Sequence, residues 1–146
     1  MKKHTSRNPN FVSYVKSKIE KNYFSNHIGL TFDKIEEGYI EASAPFETFI
    51  QQQDGYVHGG FTSALCDIVC GFAGYTLVEE QQRVMTVEIK VSYFNRGIGQ
   101  KIIGKGSVVK AGKQFFFCEG EVYAINNGEE ILMAKATSTM AVIHKK

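Results

Sequence analysis

Three features of the sequence predict an α+β fold. The residues from Phe61 to Val78 are almost wholly apolar or small and carry helical spacing. From Val84 to Val142 apolar residues recur with strand periodicity between glycine-containing turns, and no repeat, low-complexity tract or linker composition separates the two regions. The reading is one domain over residues 1–146, with 1–27 forming an amino-terminal tail and a short amphipathic helix. Length and composition permit it, since 146 residues that are 43% hydrophobic and 22% charged can bury a substantial core.

Taken in order, the basic stretches Met1 to Arg7 and His144 to Lys146 read as solubilising tails, and the other lysines are scattered. A formal charge of +2 is too small to argue for nucleic acid. Asn10 to Lys21 reads as an amphipathic helix capped by Asn-Pro-Asn and packed on the outside of the sheet. Ile28 to Glu36 and Tyr39 to Ala44 read as strands joined at Glu37-Gly38, with Pro45 ending the second. A polar loop with Gln51, Gln52 and Gln53 then leads to His58.

In the predicted helix, Phe61, Ala64, Leu65, Ile68, Val69 and Phe72 hold the i, i+3, i+4, i+7 spacing of one face, and Cys66, Cys70, Gly71 and Gly74 are small or apolar as well. The expectation is a helix enclosed on most sides, with close neighbours over its glycines. A membrane span needs about 20 apolar residues; this run is shorter and carries Asp67, so no membrane partner is expected. With no apolar segment following the basic start, the cytoplasm is the default location.

Past the helix, Met85, Val87, Ile89, Val91 and Tyr93 alternate with polar residues, as in a long strand with one buried face. Strands follow at Lys101 to Lys110, Gln114 to Ile125 and Ile131 to Val142. The turns between them are Arg96 to Gly99, Ala111-Gly112-Lys113 and the hairpin signal Asn126-Asn127-Gly128.

Chemistry concentrates around the helix. Asp67 is its one charge, and a carboxylate set among apolar residues is paired, protonated or used, so it is the leading catalytic candidate. His58, Gly59 and Gly60 lead into the first turn, where glycines let a ligand approach unpaired backbone N–H groups suited to an oxygen gaining negative charge. The same residues also read as a tight entry turn with a half-buried histidine. Cys66, Cys70 and Cys118 look like reduced core residues, and His4, His27, His58 and His144 form no metal-ligand spacing with them, so no metal is expected.

The string Val57, His58, Gly59 and Gly60, with Asp67 nine positions after the histidine, resembles the hot-dog-fold acyl-CoA thioesterases, specifically their phenylacetyl-CoA thioesterase-like branch. The likeness extends more loosely from about Ile28 to Val142. It implies a long central helix wrapped by an antiparallel β-sheet, subunits paired into dimers or a dimer of dimers, and an acyl-CoA substrate with no separate cofactor. It implies that Gln52, where the family has asparagine, helps bind the thioester carbonyl, and that Thr86, where similar proteins have serine, supports the catalytic acid. Strand alternation places Thr86 opposite the apolar set, so it would reach Asp67 only at a strand irregularity or across a subunit contact.

The function expected is hydrolysis of acyl-CoA, with Asp67 as general base or nucleophile. Gly59 N–H and Gln52 would polarise the carbonyl, and His58 would orient the loop. Arg96 and Lys113 are the turn residues placed for CoA phosphates, and Phe46, Phe49, Phe61, Tyr75 and Phe94 are candidates for the acyl pocket. Two alternatives stand beside this: a hydratase or dehydratase using His58 with Asp67, and a non-catalytic acyl-CoA-binding module. Asp67 lies eight residues past Gly59, roughly 12 Å along one helix, which one chain's helix cannot easily bridge, and the resemblance implies two antiparallel helices that share each site around a two-fold axis.

Overall fold

A computed structural model describes residues 3–144. Its elements are α1 (Phe11–Glu20), α2 (Tyr23–His27), β1 (Thr31–Glu36), β2 (Tyr39–Pro45), a 3₁₀ turn (Thr48–Ile50), α3 (Gly59–Tyr75), β3 (Gln82–Tyr93), β4 (Lys101–Ala111), β5 (Phe115–Asn126) and β6 (Glu129–His144). The six strands form one antiparallel sheet in the order β1-β2-β4-β5-β6-β3. The β5–β6 hairpin turns at Asn127 and Gly128, with φ of 50° and 80°. Both are left-handed, as a turn matched to strand twist requires, which is why Asn-Gly sits there.

The long helix α3 packs across β2 to β6. Its approach to the sheet is close because the facing strand positions lack side chains. A Cβ on Gly106 would lie 2.3 Å from the Val69 carbonyl oxygen, one on Gly104 2.6 Å from Leu65, and one on Gly120 3.1 Å from the Cys70 sulfur. The close neighbours expected over the helix glycines are found at Gly74, where a Cβ would lie 3.4 Å from Val84 and 3.5 Å from Phe116, but not at Gly71, which has nothing within 4 Å of where its Cβ would be, and the tightest crowding lies in the sheet. Helix α3 is enclosed on most sides, as expected, but not on all. Gly60, Ser63, Ala64, Asp67, Gly71 and Tyr75 form a stripe that stays at least partly exposed.

Further expectations are corrected at the periphery. Helix α1 packs on the end of α3 rather than outside the sheet: the Tyr14 ring lies 6.2 Å from that of Tyr75, and its hydroxyl donates to the Gln82 carbonyl at 2.7 Å. The Asn10 side chain makes no cap bond to α1. Between α1 and β1 the sequence reading missed α2, capped by Asn22, whose side chain accepts from the Ser25 N–H at 3.0 Å. Lys3 to Arg7 is no free tail, because His4 Nε2 donates to the Val108 carbonyl at 2.7 Å and Arg7 donates to the Gly112 carbonyl at 2.8 Å. Met1, Lys2, Lys145 and Lys146, the remainder of the predicted tails apart from the exposed His144, lie outside the described residues.

Strand β3 departs most from its predicted alternation. Thr86 pairs with Met140 and Glu88 with Thr139, so Val87 is an extra residue, a β-bulge. The bulge moves the inward face from the even positions Val84 and Thr86 to the odd positions Ile89 and Val91. Met85 and Val87, expected in the buried set, are 56% and 58% exposed, and Tyr93 is exposed as well. Strand β3 is also an edge of the sheet, so these apolar side chains flank open backbone.

The packing makes a paired prediction. Gly106→Ala should lower stability in chemical denaturation by about 1–3 kcal/mol or more, because its methyl group meets backbone that cannot step aside. Gly71→Ala, in open space on the same helix–sheet unit, should be neutral or stabilising by up to about 1 kcal/mol.

Candidate active site

Asp67 sits mid-way along α3 on the exposed stripe, half-buried rather than enclosed in the core. Thr86 Oγ1 donates to Asp67 Oδ1 at 2.6 Å within the same chain, and Met140 Sδ is 3.3 Å from the same hydroxyl. The contact exists because of the bulge at Val87: without it the inward register of Ile89 and Val91 would turn Thr86 outward. This is the strand irregularity that the sequence left as one route to Asp67. A hydroxyl donating to one carboxylate oxygen fixes the rotamer and leaves the other oxygen available to a water or a substrate. Asp67 and Thr86 line a cleft of about 350 Å³ with Asn22, Ile68, Gly71, Phe72, Tyr75, Val84, Met85 and Met140. That cleft is largely apolar around a single carboxylate.

A second group forms at the start of α3. His58 is exposed, not half-buried, and is the helix N-cap: its Nδ1 accepts from the Gly60 N–H at 2.7 Å. In the neutral imidazole this puts the proton on Nε2, leaving neither nitrogen free as a base. The His58 N–H donates to the Ile50 carbonyl at 2.8 Å, which ties the helix start to the 3₁₀ turn. Among the described residues nothing accepts from the Gly59 N–H. It is a first-turn donor pointing outward with the helix dipole behind it.

Gln52 joins this group. Its backbone N–H donates to the Tyr56 carbonyl at 2.8 Å, its carbonyl accepts from Gly55 at 3.1 Å, and its side-chain Oε1 accepts from the Asp54 N–H. The amide oxygen is thereby held in the turn and the Nε2 protons remain as donors. Gln52 and Gly59 line a cleft of about 340 Å³ with Tyr56, Val57, Thr62, Tyr93, Phe94, Asn95, Arg96, Gly97 and Met133. Two of these residues escaped the sequence reading. Tyr93 donates its hydroxyl to the Gly59 carbonyl at 3.0 Å, and Tyr56 accepts from Arg96 Nη1 at 2.9 Å while its ring lies 5.0 Å from the guanidinium. Tyr93 was read as one of the strand's buried set, and only the bulge reveals its position.

The predicted residues are therefore brought together as two sets, not one. Asp67 and Thr86 form one, and Gln52, His58, Gly59 and Arg96 the other, separated by two turns of α3. Lys113 joins neither: it lies in the β4–β5 turn, while Arg96 precedes the other end of β4, a strand of 11 residues or roughly 35 Å. Of the aromatic candidates, Tyr75 lines the cleft of Asp67 and Phe94 that of Gly59. Phe61 is core, Phe46 packs against the core, and Phe49 is 62% exposed. The three cysteines are free and buried, and burial pushes Cys66 and Cys118 up to about 12. A larger cavity of about 580 Å³ includes Tyr39, Lys105, Glu119 and Glu121. Three of those groups are engaged, Tyr39 with Glu41, Glu121 with Tyr123 and Lys135, and Lys105 with Glu130, and neither Asp67 nor Gly59 lines that cavity. Among the described residues no helix is long and apolar enough to cross a membrane.

Known proteins share this fold. Residues 54–131, more than half of the chain, match the family model of the thioesterase superfamily, and the match contains both sets of residues except Gln52. The proofreading thioesterase EntH of Klebsiella pneumoniae subsp. pneumoniae is 29% identical over 97 residues, which cover 66% of this chain and 71% of that protein. EntH of Cronobacter sakazakii is 31% identical over 74 residues, about half of either chain at 51% and 53%. The crystal structure of a thioesterase family protein from Silicibacter pomeroyi superposes with a TM-score of 0.90 at 29% identity, covering 92% of this chain and 99% of that one. With its hot-dog arrangement of one long helix on a six-stranded antiparallel sheet, the chain belongs to the thioesterase superfamily.

Proposed function

We propose that this protein hydrolyses acyl-CoA thioesters at sites built jointly by two copies of the chain. The observation that carries the reading is the division of the site: a positioned carboxylate and a free first-turn N–H, that of Gly59, sit on one helix, about 12 Å apart. Hydrolysis needs them on one carbonyl. Two copies of α3, antiparallel about a two-fold axis, would set each Asp67 beside the other copy's Gly59 and Gln52. The stripe of Gly60, Ser63 and Ala64 supports this, because small side chains let two helices approach. So does the open β3 edge with Met85 and Val87 exposed, a surface that proteins normally cover.

In this mechanism Asp67 takes a proton from water and the water oxygen attacks the thioester carbon. The tetrahedral oxyanion receives the Gly59 N–H and a Gln52 Nε2 proton. Collapse expels the CoA thiolate, which leaves without a strong general acid. Direct attack by Asp67 to form a mixed anhydride uses the same groups. Arg96, held on Tyr56, would contact a CoA phosphate. The hydratase alternative is disfavoured by His58, whose Nδ1 lone pair is occupied by Gly60 and whose ring makes no contact with Asp67 in the chain. The non-catalytic alternative leaves the Thr86–Asp67 bond without a purpose.

Thiol release from a panel of acyl-CoAs is the direct test, and the protein's own deeply buried thiols should contribute little background to it. Asp67→Asn should fold normally and lose most turnover; turnover near wild type would remove Asp67 from the mechanism. Thr86→Val should lower kcat by roughly tenfold, the effect of losing about one charge-assisted hydrogen bond, while Thr86→Ser should retain most of it. Equal loss in both variants would show that the hydroxyl is not what matters.

The shared site has its own test. Dimers carrying one Asp67→Asn chain and one Gln52→Ala chain, purified through two different tags, hold one doubly damaged and one intact site if the model is right. Their activity should then exceed that of either parent. If both groups serve one chain's own site, every site is damaged and no recovery appears.

A further inference from the structure

We propose that Tyr93 is a positioning residue that holds the oxyanion-binding turn in its working geometry; this rests on the reading of Gly59 N–H as the oxyanion donor. The Gly59–Gly60 peptide is held at both ends. Its carbonyl accepts the Tyr93 hydroxyl at 3.0 Å, and its N–H donates to His58 Nδ1 at 2.7 Å. With this peptide plane fixed at oxygen and nitrogen, and the preceding one held at the His58 carbonyl by the Thr62 N–H at 3.1 Å, φ and ψ of Gly59 are both restrained, and with them the direction of its N–H, the one left free.

The clamp is needed because of the residues it holds. Gly59 and Gly60 are consecutive glycines at a helix start, both exposed, and glycine resists rotation about φ and ψ less than any other residue. At Gly59 no close-packed neighbour supplies a restraint, since the Tyr93 ring is the nearest group and a Cβ there would be 3.5 Å from it, ordinary contact distance; at Gly60 the close group is the His58 ring, which belongs to the clamp itself. The hydroxyl is also not explained by folding. Tyr93 is 54% exposed at the end of an edge strand, where an aromatic ring without a hydroxyl would pack equally well. It arrives at Gly59 because the Val87 bulge turns the odd positions of β3 inward. The bulge that brings Thr86 to Asp67 therefore also brings Tyr93 to the donor turn.

Tyr93→Phe tests this by removing one oxygen atom and keeping the ring. The expected result is a kcat lower by between about 5- and 100-fold, since a displaced donor loses part of what a deleted one loses. KM and the thermal midpoint should be unchanged, because Tyr93 touches the turn and not the reacting atoms. Amide hydrogen exchange at Gly60 should accelerate several-fold, as its N–H loses the restraint on the far side of its peptide. Unchanged kcat overturns the proposal, as does a higher KM with unchanged kcat, which would make Tyr93 a substrate contact, or a loss of kcat matched by a loss of stability. If the wild-type protein releases no thiol from any acyl-CoA, the functional reading fails. Gly60 exchange then decides the clamp alone: acceleration in Tyr93→Phe upholds it, and unchanged exchange overturns it.

Discussion

The approach of α3 to the sheet backbone is the constraint on which the rest depends. Gly104, Gly106 and Gly120 form a side-chain-free floor on β4 and β5, and the helix rests on it at Leu65, Val69 and Cys70 with no room for a methyl group. Such contact fixes the rotation of the helix about its axis as well as its height. With 65, 66, 69 and 70 committed to the sheet, 60, 63, 64, 67 and 71 must point away from it. The position of Asp67 on an accessible stripe is therefore decided by glycines that lie 37 or more residues later in the chain.

A second constraint acts from the strand side. In a regular strand, Thr86 and Ile89 face opposite ways, and a sheet face cannot present both to α3. The extra residue at Val87 resolves this by letting β3 present Val84 and Thr86 at one end and Ile89, Val91 and Tyr93 at the other. One inserted residue thus supplies a hydroxyl to the carboxylate and a phenol to the helix start, two contacts separated by most of the strand. Bulges recur beside active sites because they re-aim side chains without breaking the sheet.

This explains what could be read in the sequence and what could not. Element types and the Asn127-Gly128 hairpin were legible because they rest on local periodicity and on left-handed turn chemistry. Asp67 was legible as a lone charge in an apolar helix, though its surroundings were misjudged: composition reports that neighbours are apolar, not whether they close over a side chain. Tyr93 and the Asp67–Thr86 bond were hidden, since a bulge leaves no mark in alternation and Met85 and Val87 look like core. The short α2 offered one signal, Asn22 three residues ahead of Ser25, too weak beside five residues of mixed polarity. The sheet glycines were visible as residues, but their role depends on a register that only the fold supplies.

The separation of the two sets of groups follows from helix physics rather than from accident. Unpaired N–H donors occur only in the first turn of a helix, so an oxyanion site of this kind must lie at the α3 terminus. A carboxylate placed there as well would face the same helix-terminal dipole, which stabilises its charge and weakens it as a base, and would compete with the oxyanion for the same donors. Two turns further along, Asp67 lies beyond the first-turn donors and meets a hydroxyl that orients it. What one helix gains in chemistry by keeping the groups apart it loses in reach. In the proposed shared site, a second helix running the opposite way would restore the reach while leaving each group in the environment its proposed role requires.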